Sequence, residues 1–229
     1  MKISILIPVY NEKKTIISLL EKVNIQKNNI DLEIIVSDDG SKDGTLEMLK
    51  ENNHLYDKLI TNGINSGKGT AIIKALEFCN GEYTLIQDAD LEYDPEDYKK
   101  LLLPANNNRA DAVYGSRFMG DEPRRILYFS HRVANFIITT LVNTLTNINF
   151  TDVETCYKLI KTDILKSINL KEKSFGFEIE TTMKLAKKKV KFFEVGIRYY
   201  GRTYEEGKKI QMKDGIIAIY KIFYYRLFN

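Results

Sequence analysis

The chain has 229 residues, of which 44% are hydrophobic and 28% are charged, so it can bury a sizeable core and is not a disordered polypeptide. Its net charge of +3 is too small by itself to indicate a nucleic-acid-binding protein. No apolar run reaches the length of a membrane span, and the first residues lack the pattern of a signal peptide, so we expect a cytoplasmic protein.

Short apolar runs alternate with helical patterns in the first half of the chain. Strands are predicted at 3–7, 32–37, 59–61 and 83–87, and helices at 15–26 and 69–79. This β-α-β-α-β order predicts an α/β fold with a mostly parallel central sheet flanked by helices. Because ligands bind beyond the carboxyl ends of the strands in such sheets, we expect the functional residues there.

The second half of the chain adds further elements and contains clusters of basic residues. Strands are predicted at 112–114, 157–160 and 190–199, and helices at about 124–146, at 177–188 and at about 215–228. There is no internal repeat and no Pro/Ser-rich linker in the sequence, so residues 1–229 are expected to form a single domain.

Three acidic residues, Asp88, Asp90 and Glu92, follow the strand predicted at 83–87. Burial of carboxylates is unfavourable unless they are paired or bound to a metal ion. Mg²⁺ and Mn²⁺ prefer such oxygen ligands, and they keep coordination positions open for phosphate oxygens. The three acids therefore predict a Mg²⁺ or Mn²⁺ site, and an acidic loop that caps the next helix is the alternative.

Polar residues also follow the first two predicted strands. Tyr10 offers a flat ring on which a base could stack, and Glu12 could accept hydrogen bonds from a base or a ribose. Asp39 follows the second strand, where acidic residues of dinucleotide-binding folds hold a ribose hydroxyl. A strand-to-helix turn with a helix cap explains each of these segments equally well when it is considered alone.

A glycine-rich loop at 62–69 superficially resembles a phosphate-binding loop. Gly69 follows Lys68 at the position where the P-loop motif requires Ser or Thr. The sequence therefore excludes a P-loop ATPase, and the loop is expected to lead into a helix whose N-terminus faces the site.

The ordered set of segments IPVYNE, SDDGSKDGT, NSGKGTA and QDADLEYDPED resembles the family 2 inverting glycosyltransferases of the GT-A fold. The later segments GSRF, TDVETCYKLIK, SFGFEIE and GRTYEEGKKI extend the resemblance over essentially the whole chain. They are similar to the polyprenyl-phosphate sugar synthases, a group that includes the dolichyl-phosphate mannosyltransferases.

The resemblance implies roles for individual residues. Those implied in catalysis are Asp90, Arg117 and Arg202. Those implied in nucleotide-sugar binding are Pro8, Tyr10, Glu12, Ser37, Asp39, Asp88, Ala89, Asp90, Glu92, Arg117, Arg202 and Lys208. The metal ion would be bound by Asp88, Asp90 and Glu92, and the acceptor phosphate by Arg117, Arg132 and Asn135.

Two residues depart from the pattern of these enzymes. Glu92 stands where dolichyl-phosphate mannosyltransferases often have Gln, and its charge could alter the preferred metal. Cys156 occupies a position that is usually Gly, which puts the backbone geometry of the acceptor-side motif in question.

The predicted reaction is the transfer of one sugar, with inversion, from a nucleotide sugar to a polyprenyl phosphate, with GDP-mannose favoured as donor and UDP-glucose next. A lipid phosphate is largely ionised at neutral pH, so it needs positioning more than a general base. A hydroxyl acceptor would need a base, for which Asp152 and Glu154 are the candidates. A nucleotide-sugar-binding module without turnover is a further alternative, and the absence of an aromatic-basic RNA motif argues against a nucleic-acid partner.

Two segments raise the question of membrane contact. The helix predicted at about 124–146 combines an apolar stripe with Arg124, Arg125 and Arg132, and the helix at about 215–228 is rich in aromatic residues. Packing of both helices into the protein's own core is the alternative. We expect peripheral association with the cytoplasmic face of a membrane or with a membrane-anchored partner.

Overall fold

A central β-sheet organises the fold, and the computed structural model describes residues 1–120, 122–126, 128–209 and 212–228. The strands are β1 (Ile3–Val9), β2 (Leu32–Asp38), β3 (Lys58–Thr61), β4 (Tyr83–Ile86), β5 (Ala112–Ser116), β6 (Lys158–Lys161) and β7 (Phe192–Gly196). These described residues form a seven-stranded sheet with the spatial order β3-β2-β1-β4-β6-β5-β7. The sheet is mostly parallel, because only β6 runs antiparallel to its neighbours β4 and β5 in the part of the chain described.

Helices flank this sheet, as the alternating sequence pattern predicts. They are α1 (Ile16–Gln26), α2 (Thr45–Glu51), α3 (Lys68–Leu76), α4 (Tyr98–Ala105), α5 (Phe129–Thr146), α6 (Thr162–Ser167), α7 (Phe177–Lys187) and α8 (Met212–Leu227). All seven residues of β1 and all seven of β2 are buried, which is typical of parallel strands covered on both faces. The predicted α/β fold class is confirmed.

One predicted helix begins later than its sequence pattern indicates. The helix expected from about residue 124 begins at Phe129. Arg125 donates its backbone N–H to the carbonyl oxygen of Tyr199 at 2.7 Å, and Arg124 forms a β-bridge with Tyr199. This extended pairing takes the backbone groups that a helix would need, so the arginines precede α5 instead of lying on it.

The other predicted elements lie within a few residues of the observed ones, except for the strand predicted at 190–199. That strand is shortened to β7. Arg198 donates its backbone N–H to Asp97 at 2.8 Å and its side chain to the same carboxylate, which draws the chain away from the sheet edge.

The carboxyl ends of β1, β2 and β4 lie side by side. The register pairs Val9 with Asp38 and Leu6 with Ile86, so the loops that follow these strands share one edge of the sheet. Helices α5 and α8 pack against each other beside this edge. They complete the wall of the cavity that the sheet edge begins.

Candidate active site

A cavity of about 920 Å³ opens at the carboxyl ends of β1, β2 and β4. Loops after these strands line one end, and α5 and α8 line the other. Ser37 is fully buried within β2 and is not among the described residues that line the cavity. The other residues predicted to bind substrates all line it, namely Pro8, Tyr10, Glu12, Asp39, Asp88, Ala89, Asp90, Glu92, Arg117, Arg132, Asn135, Arg202 and Lys208.

Arg202 lies at the centre of the acidic end of the cavity. Its Nη2 is 2.8 Å from Asp90 Oδ2, and its Nη1 is 3.4 Å from Glu12 Oε2. Its backbone N–H donates to Glu92 Oε1 at 2.8 Å, and its Nε lies 3.4 Å from the same oxygen. One guanidinium thus gathers acids from the loops after β1 and β4.

Lys68 pairs with the remaining aspartate of this end. Its Nζ lies 2.8 Å from Asp88 Oδ1 and 2.9 Å from Glu178 Oε1. Burial opposes the charge on Lys68, but Asp88 and Glu178 outweigh it and raise the pKa of the ammonium group. Lys68, the first residue of α3, therefore joins the start of α7 to the aspartate after β4.

The three acids predicted to bind the metal do not form a ready ligand set. Among the described residues, no group of three or more His, Cys, Asp or Glu side chains is arranged to hold a metal ion. Glu92 instead accepts hydrogen bonds from the Tyr199 hydroxyl at 2.7 Å and from Arg202. Both of its oxygens therefore have protein partners, and its role as a metal ligand stays a prediction.

Asp90 and Asp88 do fit a divalent cation. Burial together with the charges of Asp88 and Glu92 raises the pKa of Asp90 to about 7, although Arg202 acts to lower it. This surplus of negative charge is stabilised by a cation. Mg²⁺ is commonly held by one or two carboxylates together with substrate phosphates, which matches a pair of aspartates at the mouth of a phosphate site.

Asp39 orders the loop beside the predicted nucleoside end. Its carboxylate accepts hydrogen bonds from the Asn62 side chain at 2.8 Å and from the backbone N–H groups of Ser66 at 3.0 Å and Gly67 at 2.6 Å. Gly67 has φ of +97°, and a Cβ there would lie 2.2 Å from the carbonyl oxygen of Lys173. Only glycine fits this close approach. Because Asp39 binds the backbone of this tight loop, it also helps to shape the cavity wall that it faces.

Lys209 connects the segment after β7 to the loop after β1. Its Nζ donates to the carbonyl oxygen of Tyr10 at 2.8 Å and to Glu12 Oε1 at 2.7 Å. The segment that carries Arg202 and Lys209 therefore crosses over the predicted nucleotide-binding residues.

Arg117 is held firmly on the opposite side of the cavity. Asp152 is fully buried and accepts hydrogen bonds from Arg117 Nε at 2.7 Å and from Arg117 Nη2 at 2.8 Å. Asn135 donates to the same carboxylate at 3.0 Å. Burial alone would raise the pKa of Asp152, but Arg117 and Asn135 outweigh it and keep that pKa below its usual value.

Arg132 and Lys208 add positive charge to the cavity wall. Neither side chain has an ion pair with any residue that the structure describes, and both line the cavity. Arg132 and Arg117 both lie over the ring of Phe118, at 4.7 and 5.6 Å from its centroid. Burial lowers the pKa of Lys208 most, the charges of Glu92 and Asp90 raise it, and Arg117 and Arg202 lower it. This end of the cavity is suited to an anion.

The two candidate bases have different surroundings. Asp152 is committed to Arg117 and cannot take a proton without breaking that pair. Glu154 lines the cavity, and its Oε1 is buried without a hydrogen-bond partner among the described residues. Burial raises the pKa of Glu154 to about 7, and the neighbouring charge of Glu178 contributes to the increase.

Four residues of this site are not among those predicted from the sequence: Lys68, Glu178, Tyr199 and Lys209. Lys68, Glu178 and Lys209 lie inside segments that carry the family resemblance, which is the only signal that could have indicated them. Their contacts join segments distant in sequence, so no local pattern predicts the partners.

A mostly parallel sheet with an acid-containing cavity at its carboxyl edge, and with basic side chains on the facing wall, defines a nucleotide-sugar-binding fold of the GT-A type. The sequence model of glycosyl transferase family 2 matches residues 4–168. The chain belongs to this family and is a glycosyltransferase.

Relatives and solved structures agree with this assignment. An uncharacterized protein of Methanocaldococcus jannaschii is 30% identical over 226 residues, which cover 90% of this chain and 93% of that protein. A dolichol-phosphate mannosyltransferase of Pyrococcus furiosus is 28% identical over 217 residues, covering 92% of this chain but only 61% of the mannosyltransferase. Glucosyl-3-phosphoglycerate synthase of Mycobacterium tuberculosis, solved with Mn²⁺, uridine diphosphate and phosphoglyceric acid, has a TM-score of 0.76 at 17% identity, covering all of this chain and 79% of its own.

Among the described residues, none of the helices combines the length and the apolarity that a membrane span requires.

Proposed function

We propose that this glycosyltransferase moves one sugar, with inversion, from a nucleotide sugar to a polyprenyl phosphate, with mannose favoured and glucose next. The observation that carries the proposal is the pair of cations without ion-pair partners in the described structure, Arg132 and Lys208, beside Arg117. They face a cavity end whose walls are the apolar helices α5 and α8. An acceptor with an anionic head and an apolar tail matches that combination.

The donor would occupy the acidic end. Asp88 and Asp90 would hold Mg²⁺ or Mn²⁺, which neutralises charge on the departing diphosphate. Arg202 would contact the phosphate oxygens, because a guanidinium suits bidentate phosphate binding. Tyr10, Glu12 and Asp39 would face the nucleoside. The Mn²⁺ and uridine diphosphate bound by the mycobacterial synthase support a metal and a nucleotide at this edge of the fold.

The acceptor phosphate would act as the nucleophile without a general base. A phosphate monoester is largely ionised at neutral pH, so the protein has to position it rather than deprotonate it. Arg117 is preorganised for that task by Asp152 and Asn135. The similarity to the Pyrococcus furiosus dolichol-phosphate mannosyltransferase supports the same acceptor class.

Transfer to a hydroxyl acceptor is the second candidate function. Glu154 favours it, since a buried carboxylate oxygen without a partner and a pKa near 7 suit a general base. Asp152 is no longer an equal candidate, because Arg117 occupies it.

Transfer from GDP-mannose and from UDP-glucose to a polyprenyl phosphate, with Mn²⁺ present, tests the acceptor. We expect Arg132→Ala to raise the KM for the lipid phosphate about tenfold and to leave the KM for the donor unchanged, because it removes one charge-assisted contact. Arg109→Ala is the matched control, since Arg109 is exposed and lies outside the cavity lining. Transfer to a sugar hydroxyl but not to any polyprenyl phosphate would contradict the proposal.

We further propose that the apolar face around the cavity mouth rests on the cytoplasmic face of a membrane or on a membrane-anchored partner. The neighbouring Arg124, Arg125 and Arg132 would favour anionic lipids. Large apolar side chains are exposed here on α5, on α8 and just beside them: Ile126, Phe129, Phe136, Ile137, Ile216, Tyr220, Leu227 and Phe228.

Flotation with anionic vesicles at low salt tests this contact. The double variant Phe129→Ser/Phe136→Ser is expected to bind at least about tenfold more weakly than the unmodified protein, since each phenylalanine would leave the lipid. Leu103→Ser is the control, because Leu103 is 70% exposed on α4 and away from the cavity. A protein that stays unbound at low salt has no direct contact with lipid.

A further inference from the structure

Glu172 ties α8 to the segment that precedes α7. Its Oε1 accepts hydrogen bonds from Lys221 Nζ at 2.6 Å and from the Tyr225 hydroxyl at 2.5 Å. Gly176 leaves room for this carboxylate, since a Cβ there would lie 2.7 Å from Glu172 Oε2. Glu172 is outside the described cavity lining, so these contacts act on the position of α8 and not directly on a substrate.

The segment that contains Glu172 is held in shape without the Glu172 side chain. Glu180 is fully buried, and its carboxylate accepts hydrogen bonds from the backbone N–H groups of Lys171 at 2.9 Å and Glu172 at 2.7 Å. Lys184 pairs with Glu180 at 2.7 Å and donates to the carbonyl oxygen of Asn169 at 2.7 Å. Truncation of the Glu172 side chain therefore removes the tie to α8 without unfolding this segment.

The other side of the segment lies directly against the glycine-rich loop. A Cβ at Gly67 would lie 2.2 Å from the carbonyl oxygen of Lys173, and a Cβ at Gly69 would lie 2.0 Å from that of Glu172. Thr70 donates its backbone N–H to the carbonyl oxygen of Lys173 at 3.2 Å. Two backbones packed this closely leave no free space between them, so a displacement of one displaces the other.

The glycine-rich loop forms part of the donor end of the cavity. Asp39 accepts hydrogen bonds from the backbone N–H groups of Ser66 and Gly67, and Lys68 pairs with Asp88. Asp39, Lys68 and Asp88 all line the cavity. The shape of this loop therefore affects both the predicted nucleoside end and the predicted diphosphate end of the donor site.

Helix α8 lies at the opposite end of the cavity. Its residue Ile219 lines the cavity, Ile222 and Tyr225 are buried, and Ile216 and Tyr220 are exposed. One face of this amphipathic helix thus packs on the protein and the other does not. A polar tie such as the one to Glu172 then makes a substantial contribution to where the helix lies.

We propose that Glu172 is a positioning residue through which α8 holds the glycine-rich loop in the shape that binds the donor. The contacts form one continuous series, from Lys221 and Tyr225 through Glu172 to the backbone at Gly67 and Gly69. The helix on the acceptor side thereby influences the affinity for the nucleotide. This rests on the donor half of the proposed function and is independent of the acceptor.

Hydrogen–deuterium exchange tests this series of contacts without any substrate. Lys221→Ala changes only α8, yet it is expected to speed exchange across residues 64–70 at least about fivefold, because loss of one hydrogen bond shifts a local opening equilibrium by about that factor. Glu172→Ala should give at least the same increase. Exchange in β1 should stay unchanged, since the core of the sheet does not open.

Titration calorimetry with UDP and with GDP, each with Mn²⁺, measures the consequence for the donor site. For the diphosphate that the unmodified protein binds more tightly, Lys221→Ala and Glu172→Ala are expected to bind about three- to fivefold more weakly, because part of the binding free energy has to reorder the loop.

A conservative variant and a matched control accompany these measurements. Glu172→Gln keeps an oxygen that accepts hydrogen bonds from Lys221 and Tyr225, so its exchange and its diphosphate affinity should stay within about twofold of the unmodified protein. Lys161→Ala is the control for loss of a lysine. Lys161 pairs with Asp111 at 3.0 Å outside the cavity lining, and its side chain is 22% exposed, compared with 25% for Lys221.

Three results would overturn the proposal: unchanged exchange across residues 64–70 in Lys221→Ala, an increase of the same size in β1, or unchanged diphosphate affinity despite faster exchange of the loop. The second result would indicate a general loss of stability. Failure of the unmodified protein to bind either diphosphate would overturn the donor half of the proposed function itself. Absence of transfer to polyprenyl phosphate would overturn only the proposed acceptor.

Discussion

Replacing Asp90 by Asn is expected to reduce sugar transfer about a thousandfold and to leave the protein folded. The proposed reaction relies on Asp90 to hold the metal ion against the diphosphate and to position Arg202, whose Nη2 lies 2.8 Å away. Loss of one group that stabilises transition-state charge commonly reduces turnover by two to three orders of magnitude, about 3 to 4 kcal/mol. The measurement is kcat/KM for transfer at saturating Mn²⁺.

Asp90→Asn is expected to reduce activity but not to reduce the stability of the folded protein. In the metal-free protein, burial and the charges of Asp88 and Glu92 raise the pKa of Asp90 to about 7, so the ionised form is unfavourable at neutral pH. An asparagine removes that repulsion, and Tm without metal is expected to stay equal or to rise.

Asp94→Asn is the control for Asp90→Asn. Asp94 accepts a hydrogen bond from the backbone N–H of Glu96 at 3.0 Å and caps a short helical turn. Its substitution should change stability by less than about 1 kcal/mol and leave transfer unchanged, because asparagine caps a helix about as well as aspartate. An Asp90→Asn enzyme that keeps more than a tenth of its activity would show that Asp90 is not the central metal ligand.

Asp152→Asn is expected to reduce the free energy of unfolding by about 3 kcal/mol. Asp152 is fully buried and accepts hydrogen bonds from three nitrogen atoms of Arg117 and from Asn135. Removing its charge leaves the Arg117 guanidinium buried without compensation, which costs more than the ion pair itself contributes. Urea unfolding measures the change.

Glu122→Gln provides the matched comparison for Asp152→Asn. Glu122 pairs with Lys100 at a more exposed place, where an ion pair contributes at most about 1 kcal/mol.

Transfer should also decrease in Asp152→Asn, because Arg117 loses the group that positions it. Normal stability combined with lost transfer would contradict this account and would make Asp152 the base.

The strands and the acids at their carboxyl ends follow from local sequence. Apolar runs of four to seven residues predict β1, β2 and β4, because strands buried on both faces need apolar side chains throughout. Asp88 lies two residues after the end of β4 in the chain, so its place at the sheet edge needs no long-range information. The prediction is less accurate where another segment intervenes, as at Arg124 and Arg125, whose helical pattern is overridden by pairing with Tyr199.

The partners of the charged residues depend on packing between distant segments. Arg202 meets Glu12 across 190 residues, and Lys68 meets Glu178 across 110 residues. Local patterns cannot specify such pairs, since they depend on how the loops converge at the sheet edge. The contact with Lys68 brings Glu178 beside Asp88, which no local pattern indicates.

The two candidate bases, Asp152 and Glu154, also differ in a way that packing decides and local sequence does not. Both are acids of one short segment, and residue type and spacing make them equal candidates for a base. Arg117 reaches Asp152 only after β5 and the segment before β6 have come together in the sheet, and it leaves Glu154 with a buried oxygen without a partner in the described structure. Local sequence is sufficient to place acids and bases around a nucleotide-sugar site, but their pairing in the folded protein selects which of them can act on a substrate.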